Sequence, residues 1–267
     1  MSGHSKWATI KRAKGLNDAK KGAAFTRIGK DITIAAKSGG DPILNASLAF
    51  AIDRAKQANM PNDNILRAIR KGTGEDKSGA EILEMSYEGY GPGGVAIIVD
   101  VATDNKNRTG PEIRKLIESV GGTFAESGAV AWQFEQKGLL VLSWETPEDK
   151  TKRENAKWND KDSHLRKIGL DIYDEIELEL IDTDGVQDIQ NYVEDGEGSI
   201  EILTSPEALG AVRNFLKDKS LQIESMELIK APKNEIVGDD ALRDRIADMS
   251  EKIEEHEDVQ NVWTNLT

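Results

Sequence analysis

Residues Tyr87–Asp100 read YEGYGPGGVAIIVD, and how they are read decides the fold. The central Gly89–Gly94, GYGPGG, spells G-x-G-x-x-G, the glycine pattern of a dinucleotide-binding turn. That turn needs a helix after it, because the pyrophosphate rests on the helix N-terminus. Here the following residues, GVAIIVDV (Gly94–Val101), are apolar and β-branched, with only Asp100 intervening. Such a run is a strand. EILEMSYEGY (Glu81–Tyr90) before it is strand-like too. The glycines therefore make a wide hairpin turn, and the segment belongs to an α+β domain.

Working towards the C-terminus, TGPEIRKLIESVGG (Thr109–Gly122) predicts a helix, with Thr109 and Glu112 spaced as a capping box and Pro111 in the first turn. GTFAESG and AVAWQFEQ (Gly122–Gln136) read as two short strands. Then come a strand at GLLVLSW (Gly138–Trp144), a helix within Asp171–Asp182, and strands at VQDIQNYVE and SIEILT. A helix at SPEALGAVRNFLKDK and a strand at LQIESMELIK complete the series. This βαββαβ order is that of a ferredoxin-like unit. The tail from Asp239 predicts a helix and a last strand, which can complete the middle sheet and make the ferredoxin-like unit an insertion. The stretch Thr146–Lys167 is over half charged and reads as a long exposed loop.

Working towards the N-terminus, the period becomes helical. Asn17 or Asp18 caps a helix that Gly39–Gly40 stops, with Phe25, Ile28, Ile32 and Ala35 on one face. Lys20, Arg27, Lys30 and Lys37 fall on the other side. A second helix is expected from Asp41 as cap and Pro42 at its first position, with Leu44, Leu48, Ile52 and Ala55 inward. A third is capped by Asn62 or Asp63, packs Ile65 and Ile69, and stops at Gly72. Polar residues Thr73–Glu81 read as a hinge. The expected architecture is α+β in three domains: a helical head at 1–75, a middle domain at 80–135 plus 233–267, and the ferredoxin-like insertion at 136–232.

Charge supplies the functional clue. The chain of 267 residues has a formal net charge of −13. Residues 1–72 nevertheless hold 14 Lys and Arg against five acids, a net of +9, which leaves −22 on the remainder. A basic head on an acidic body suits a polyanion partner and a self-solubilising rest. The first fifteen residues, MSGHSKWATIKRAKG, contain no acid. Lys6, Lys11, Arg12 and Lys14 can neutralise phosphates, and Trp7 can stack on an unpaired base. Trp7 can equally pack on the helices. The expected nucleic-acid contacts are Lys6, Trp7, Lys11, Arg12, Lys14, Lys20, Lys21, Arg27 and Lys30. TDNKNRT (Thr103–Thr109) offers a second, weaker site through Lys106 and Arg108 at a helix N-terminus, unless that loop only caps its own helix.

Other classes find little support. There is no cysteine, so disulfides, thiolate metal sites and a cysteine nucleophile are out. His4, His164 and His256 are widely separated and lack companions at catalytic or metal-ligating spacing. A mature Ser2-Gly3-His4 start could chelate Cu(II) or Ni(II), which any chain beginning this way can do. No apolar run approaches the ~20 residues of a membrane helix, and no secretory h-region follows the first lysines. The expectation is a cytoplasmic protein without catalytic residues, metal, cofactor or small-molecule substrate.

Six blocks then carry a family resemblance: GHSKW (Gly3–Trp7), IKRAKGLNDAKKGAAFTRIGKDI (Ile10–Ile32), QANMPNDNILRAIRKGTGE (Gln57–Glu75), YEGYGPGGVAIIVD, TDNKNRT and VQNVW (Val259–Trp263). Together they resemble the YebC/PmpR family, whose mitochondrial members are translational activators of cytochrome oxidase. The resemblance implies the same three domains and no cofactor. It also implies one of two roles: a DNA-binding transcriptional regulator, or a ribosome-associated factor that helps translation through proline runs. Two departures stand out. NASLA (Asn45–Ala49) puts Ser47 and Ala49 where the family often carries arginines, and Thr146–Lys167 is longer than usual.

Overall fold

The computed structural model describes residues 18–76, 80–145, 168–194, 197–219, 221 and 223–267. Helices α1 (Asp18–Ala36), α2 (Ala46–Gln57) and α3 (Asn62–Gly72) come first, followed by strands β1 (Leu83–Tyr90) and β2 (Ala96–Thr103). Helix α4 (Lys106–Ser119), β3 (Thr123–Ala125), β4 (Phe134–Glu145), β5 (Ile168–Gly169) and α5 (Leu170–Ile181) follow. The chain ends with β6 (Val186–Glu194), β7 (Glu197–Thr204), α6 (Leu209–Asp218), β8 (Ile223–Pro232), α7 (Asp240–Glu254) and β9 (Val259–Thr264). These elements form two compact units, one from the residues up to Phe134 with Pro232–Thr267, the other from Glu135–Ala231.

In the first unit, α1 to α3 share a core of Ile28, Ile32, Leu48, Ala55, Met60 and Ile65. Within the helices, Ile28, Ile32 and Ala36, then Leu48, Ala51 and Ala55, then Ile65 and Ala68 recur at three- and four-residue spacing, so each helix turns one apolar stripe inward. Gly72 ends α3 against α1: a Cβ there would collide with the Thr33 carbonyl oxygen and the Ala36 side chain. The second helix starts later than its sequence suggested. Asp41 instead accepts the Ile43 N–H in a turn, and Asn45 is the cap. The Asn45 carboxamide takes the Leu48 N–H and donates to the Ala35 and Gly39 carbonyls. Those three bonds anchor the cap at Asn45, and Leu44, expected inward, is 87% exposed beside Ile43 at 88%.

The middle sheet runs β3-β1-β2-β9, antiparallel throughout. The turn between β1 and β2 is a short 3-10 segment, Pro92–Gly94, with Gly93 and Gly94 at positive φ, closed by the Gly91 N–H on the Val95 carbonyl. Glycines serve the turn here because left-handed backbone is strained for other residues. The tail strand β9 takes the edge beside β2. On one face Val95, Ile97, Val99 and Val101 meet Ile113 and Ile117 of α4 and Ile246, Met249 and Ile253 of α7. At about 1.5–3 kcal/mol for each buried aliphatic, this layer outweighs any surface ion pair.

One expected strand starts late and merges with the next. At AVAWQFEQ the chain forms a 3-10 turn, Ala131–Gln133, and β4 starts only at Phe134. The buried Glu88 carboxylate accepts the N–H groups of Gly128, Val130 and Ala131, which a strand would have offered to a neighbour.

In the second unit β4 lies between β7 and β8, and β6 pairs with the far edge of β7. β4–β7 and β6–β7 are antiparallel. With α5 and α6 as its helices, this is the ferredoxin-like βαββαβ order. Leu140, Leu142, Ile200 and Ile202 bring the strands to its core, and Leu180, Val212 and Leu216 come from the helices. Among the described residues, no helix is long and apolar enough to cross a membrane.

Candidate nucleic-acid interface

The expected basic residues separate into three groups. Lys6, Trp7, Lys11, Arg12 and Lys14 lie outside the described residues. Lys20 and Lys21 fall near the start of α1. Arg27, Lys30, Lys106 and Arg108 can be followed atom by atom.

Arg27 and Lys30 turn inward. The Arg27 guanidinium donates to the carbonyl of Glu254, the last residue of α7, at 2.6 Å. Lys30 donates to the Glu257 carbonyl at 2.9 Å and to the Asp258 carboxylate at 2.6 Å. Cations there complement the negative C-terminal end of α7 and satisfy a carbonyl the helix leaves open.

Asp258, 2% exposed, is the hub of this arrangement. Besides Lys30, its carboxylate accepts from Arg108 at 2.9 Å and from the Thr109 hydroxyl at 2.7 Å. Burial alone would raise its pKa, but the hydrogen bonds from Lys30, Thr109 and Arg108 outweigh it and hold the carboxyl well below the usual range. The Arg108 pKa is raised in turn, chiefly by its hydrogen bond to Asp258. Hydroxyl directions follow from the acceptors. A carboxylate only accepts, so Thr109 donates to it. Thr103 accepts the Asn105 N–H and donates to Thr109, 2.8 Å away. On the other side the Asp258 N–H meets His256 Nδ1 at 3.1 Å. The imidazole proton then sits on Nε2, facing Glu112 at 3.2 Å.

The loop at TDNKNRT therefore caps its own helix. Asn105 is the N-cap and accepts the Arg108 N–H. Thr109, expected as the cap, is instead buried inside α4, because its hydroxyl serves Asp258. Lys106, the first residue of α4, is exposed and has no hydrogen-bond or ion-pair partner among the described residues.

The sequence reading missed a better-placed set on α3. Arg67, Arg70 and Lys71 carry no carboxylate partner among the described residues, and neither does Lys56 on α2. Arg67, Arg70 and Lys56 are exposed. The signal was there in RAIRK (Arg67–Lys71): spacing of three and four places the charges on one stripe. Arg67 and Lys71 line an open cleft of about 470 Å³, along with Lys30, Arg108, Asp104 and Glu257. Phe25, Met60 and Ile82 give it an apolar side.

Comparison with known proteins places these features in a family. Residues 5–75 match the TACO1/YebC N-terminal domain, and residues 82–266 match the TACO1/YebC second and third domain. A Dictyoglomus turgidum protein named "Probable transcriptional regulatory protein" is 42% identical over 267 residues, covering 100% of this chain and 96% of its own. One of the same name from Pelotomaculum thermopropionicum is 43% identical, covering 99% and 98%. The crystal structure of a conserved hypothetical protein from Aquifex aeolicus superposes with a TM-score of 0.77 at 31% identity, over 98% of this chain and 97% of that one. Matched along both halves of its length, the chain belongs to the TACO1/YebC family.

Proposed function

We propose that this protein is a non-enzymatic regulator of gene expression that binds nucleic acid through its basic N-terminal head. The observation that carries the reading is the set of cations on α2 and α3: Lys56, Arg67, Arg70 and Lys71 have no carboxylate partner among the described residues. The arm residues Lys6, Lys11, Arg12 and Lys14 would add phosphate contacts, and Trp7 a stack on an unpaired base. Counterion release by such a head gives affinity for any phosphate backbone, while salt screens the repulsion from the acidic remainder beyond a Debye length of about 8 Å, so each part acts locally. Docking is thus head-first.

The physical target favoured is RNA, and the ribosome in particular, where the protein would assist translation at stalled, proline-rich sequences. Among the described residues of the head, nothing pairs two recognition helices for duplex half-sites. The names of the relatives favour a second reading, a regulator bound to promoter DNA in the cytoplasm. A competition at one physiological salt concentration tests the order, with ribosomes, a promoter-length duplex and random duplex offered together. Ribosome association with equal, weak duplex binding is expected. Preference for one duplex by more than ~10³ over random DNA, without ribosome association, overturns it.

A further inference from the structure

We propose that the cleft beside α1 holds a single nucleotide of a single-stranded nucleic acid, its phosphate on Arg67 and Lys71 and its base edge on Asp104 and Glu257. This rests on the nucleic-acid reading above and assigns it a subsite. Helix α1 forms the floor, touching α3 where the Thr33 hydroxyl meets the Ala68 carbonyl and the α7–β9 turn where Lys30 meets Asp258. One wall is α3, with Asn64, Arg67 and Lys71; the other is the pair of turns carrying Asp104 and Glu257, with Arg108 from the first turn of α4.

The two walls differ in charge. On α3 the cations have no carboxylate partners among the described residues. On the facing wall Arg108 is already shared by Asp104, Glu257 and Asp258 at 3.6, 3.6 and 2.9 Å. Asp104 and Glu257 remain 49% and 69% exposed and keep acceptor capacity for a ligand. A polyanion would be attracted to one wall and repelled by the other. A nucleotide satisfies both, with a phosphate at one end and exocyclic amine donors at the other. Carboxylates accept from the cytosine N4 amine, and the adenine N6 amine offers the same donor, whereas O4 of uracil presents an acceptor to them. Between the walls, Phe25, Met60 and Ile82 supply an apolar surface for the base face. The volume, about 470 Å³, lies in the range of small-molecule sites. Asp258 acts as a positioning residue, holding Lys30 and Arg108 in place from beneath.

The test measures anisotropy of labelled 12-residue oligo(C), oligo(A) and oligo(U) RNA with the full chain. Wild type should bind C and A more tightly than U by ~5-fold or more. Asp104→Asn with Glu257→Gln should erase that preference. Arg67→Glu with Lys71→Glu should weaken all three by more than ~10-fold, against ~3-fold or less for Lys56→Glu, which lies off the cleft. Thermal melts establish that each variant is folded. Equal binding of the three oligomers by wild type, with Lys56→Glu as damaging as the α3 pair, overturns the cleft and leaves the head as a general binder. No binding of any oligomer or duplex overturns both.

Discussion

Helices α1 and α3 carry basic faces of similar composition, and the structure uses them in opposite ways. On α1, Arg27 and Lys30 end on a helix carbonyl and a buried carboxylate of the same chain. On α3, Arg67 and Lys71 have no such partners among the described residues. A count of charge treats the two alike. The difference is whether a cation is already engaged within the chain, and that depends on residues more than 200 positions away, Glu254 and Asp258. The α1 cations fasten the head to the middle domain; the α3 cations are left for a ligand. The polar stretch Thr73–Glu81, expected to flex, is bypassed by that fastening and by Lys37 on the Ile82 carbonyl.

The largest effect expected is on the fastening side. Asp258→Asn leaves Lys30 and Arg108 without their shared counter-charge. Breaking a buried pair costs about 3–5 kcal/mol, so melting should drop by roughly 6–20 °C. A loss under ~2 °C in differential scanning calorimetry would mean that Asp258 holds nothing together. On the binding side, Trp7→Ala should cost about 1–3 kcal/mol in single-strand binding with melting unchanged, if the indole stacks on a base. Lower melting with binding retained would make Trp7 part of the helical packing instead.

A smaller, pH-dependent effect sharpens the comparison. The Asp258 carboxyl lies below its ordinary range when folded. Its contribution is therefore complete above the unfolded pKa of about 4 and is lost as the pH falls towards the folded one. Wild type and Asp258→Asn should differ most in melting temperature at neutral pH and converge in acid. Charge changes on α3 should shift melting equally at every pH. The smallest effect expected is from Lys106→Ala, an exposed cation with no partner among the described residues, which should leave melting within about 0.5 kcal/mol of wild type.

Much of the architecture was legible because it rests on local pattern. The glycine turn at Gly91–Gly94 and the strand after it could be read from β-branched residues alone, and so could the ferredoxin-like order. The errors share a physical cause, a distant group that claims a local one. Asn45 reaches back to Ala35 and Gly39 and delays α2. Glu88 collects the amides of Gly128, Val130 and Ala131 and delays β4 to Phe134. Asp258 takes Thr109 from its expected capping role and engages Lys30 and Arg108. The site was less legible for the same reason. Sequence shows where charges are and not which of them are already paired.

The division of labour between α1 and α3 is tested most directly by one paired measurement. Arg27→Gln and Arg67→Gln each remove a single positive charge from the head. For both, the melting temperature and the slope of log K against log salt are measured on single-stranded RNA. Arg27→Gln should lower melting and leave the slope unchanged. Arg67→Gln should leave melting unchanged and reduce the slope by roughly 0.7, the share of one single-strand phosphate. The account is contradicted if Arg27→Gln flattens the slope at unchanged stability while Arg67→Gln leaves the slope intact.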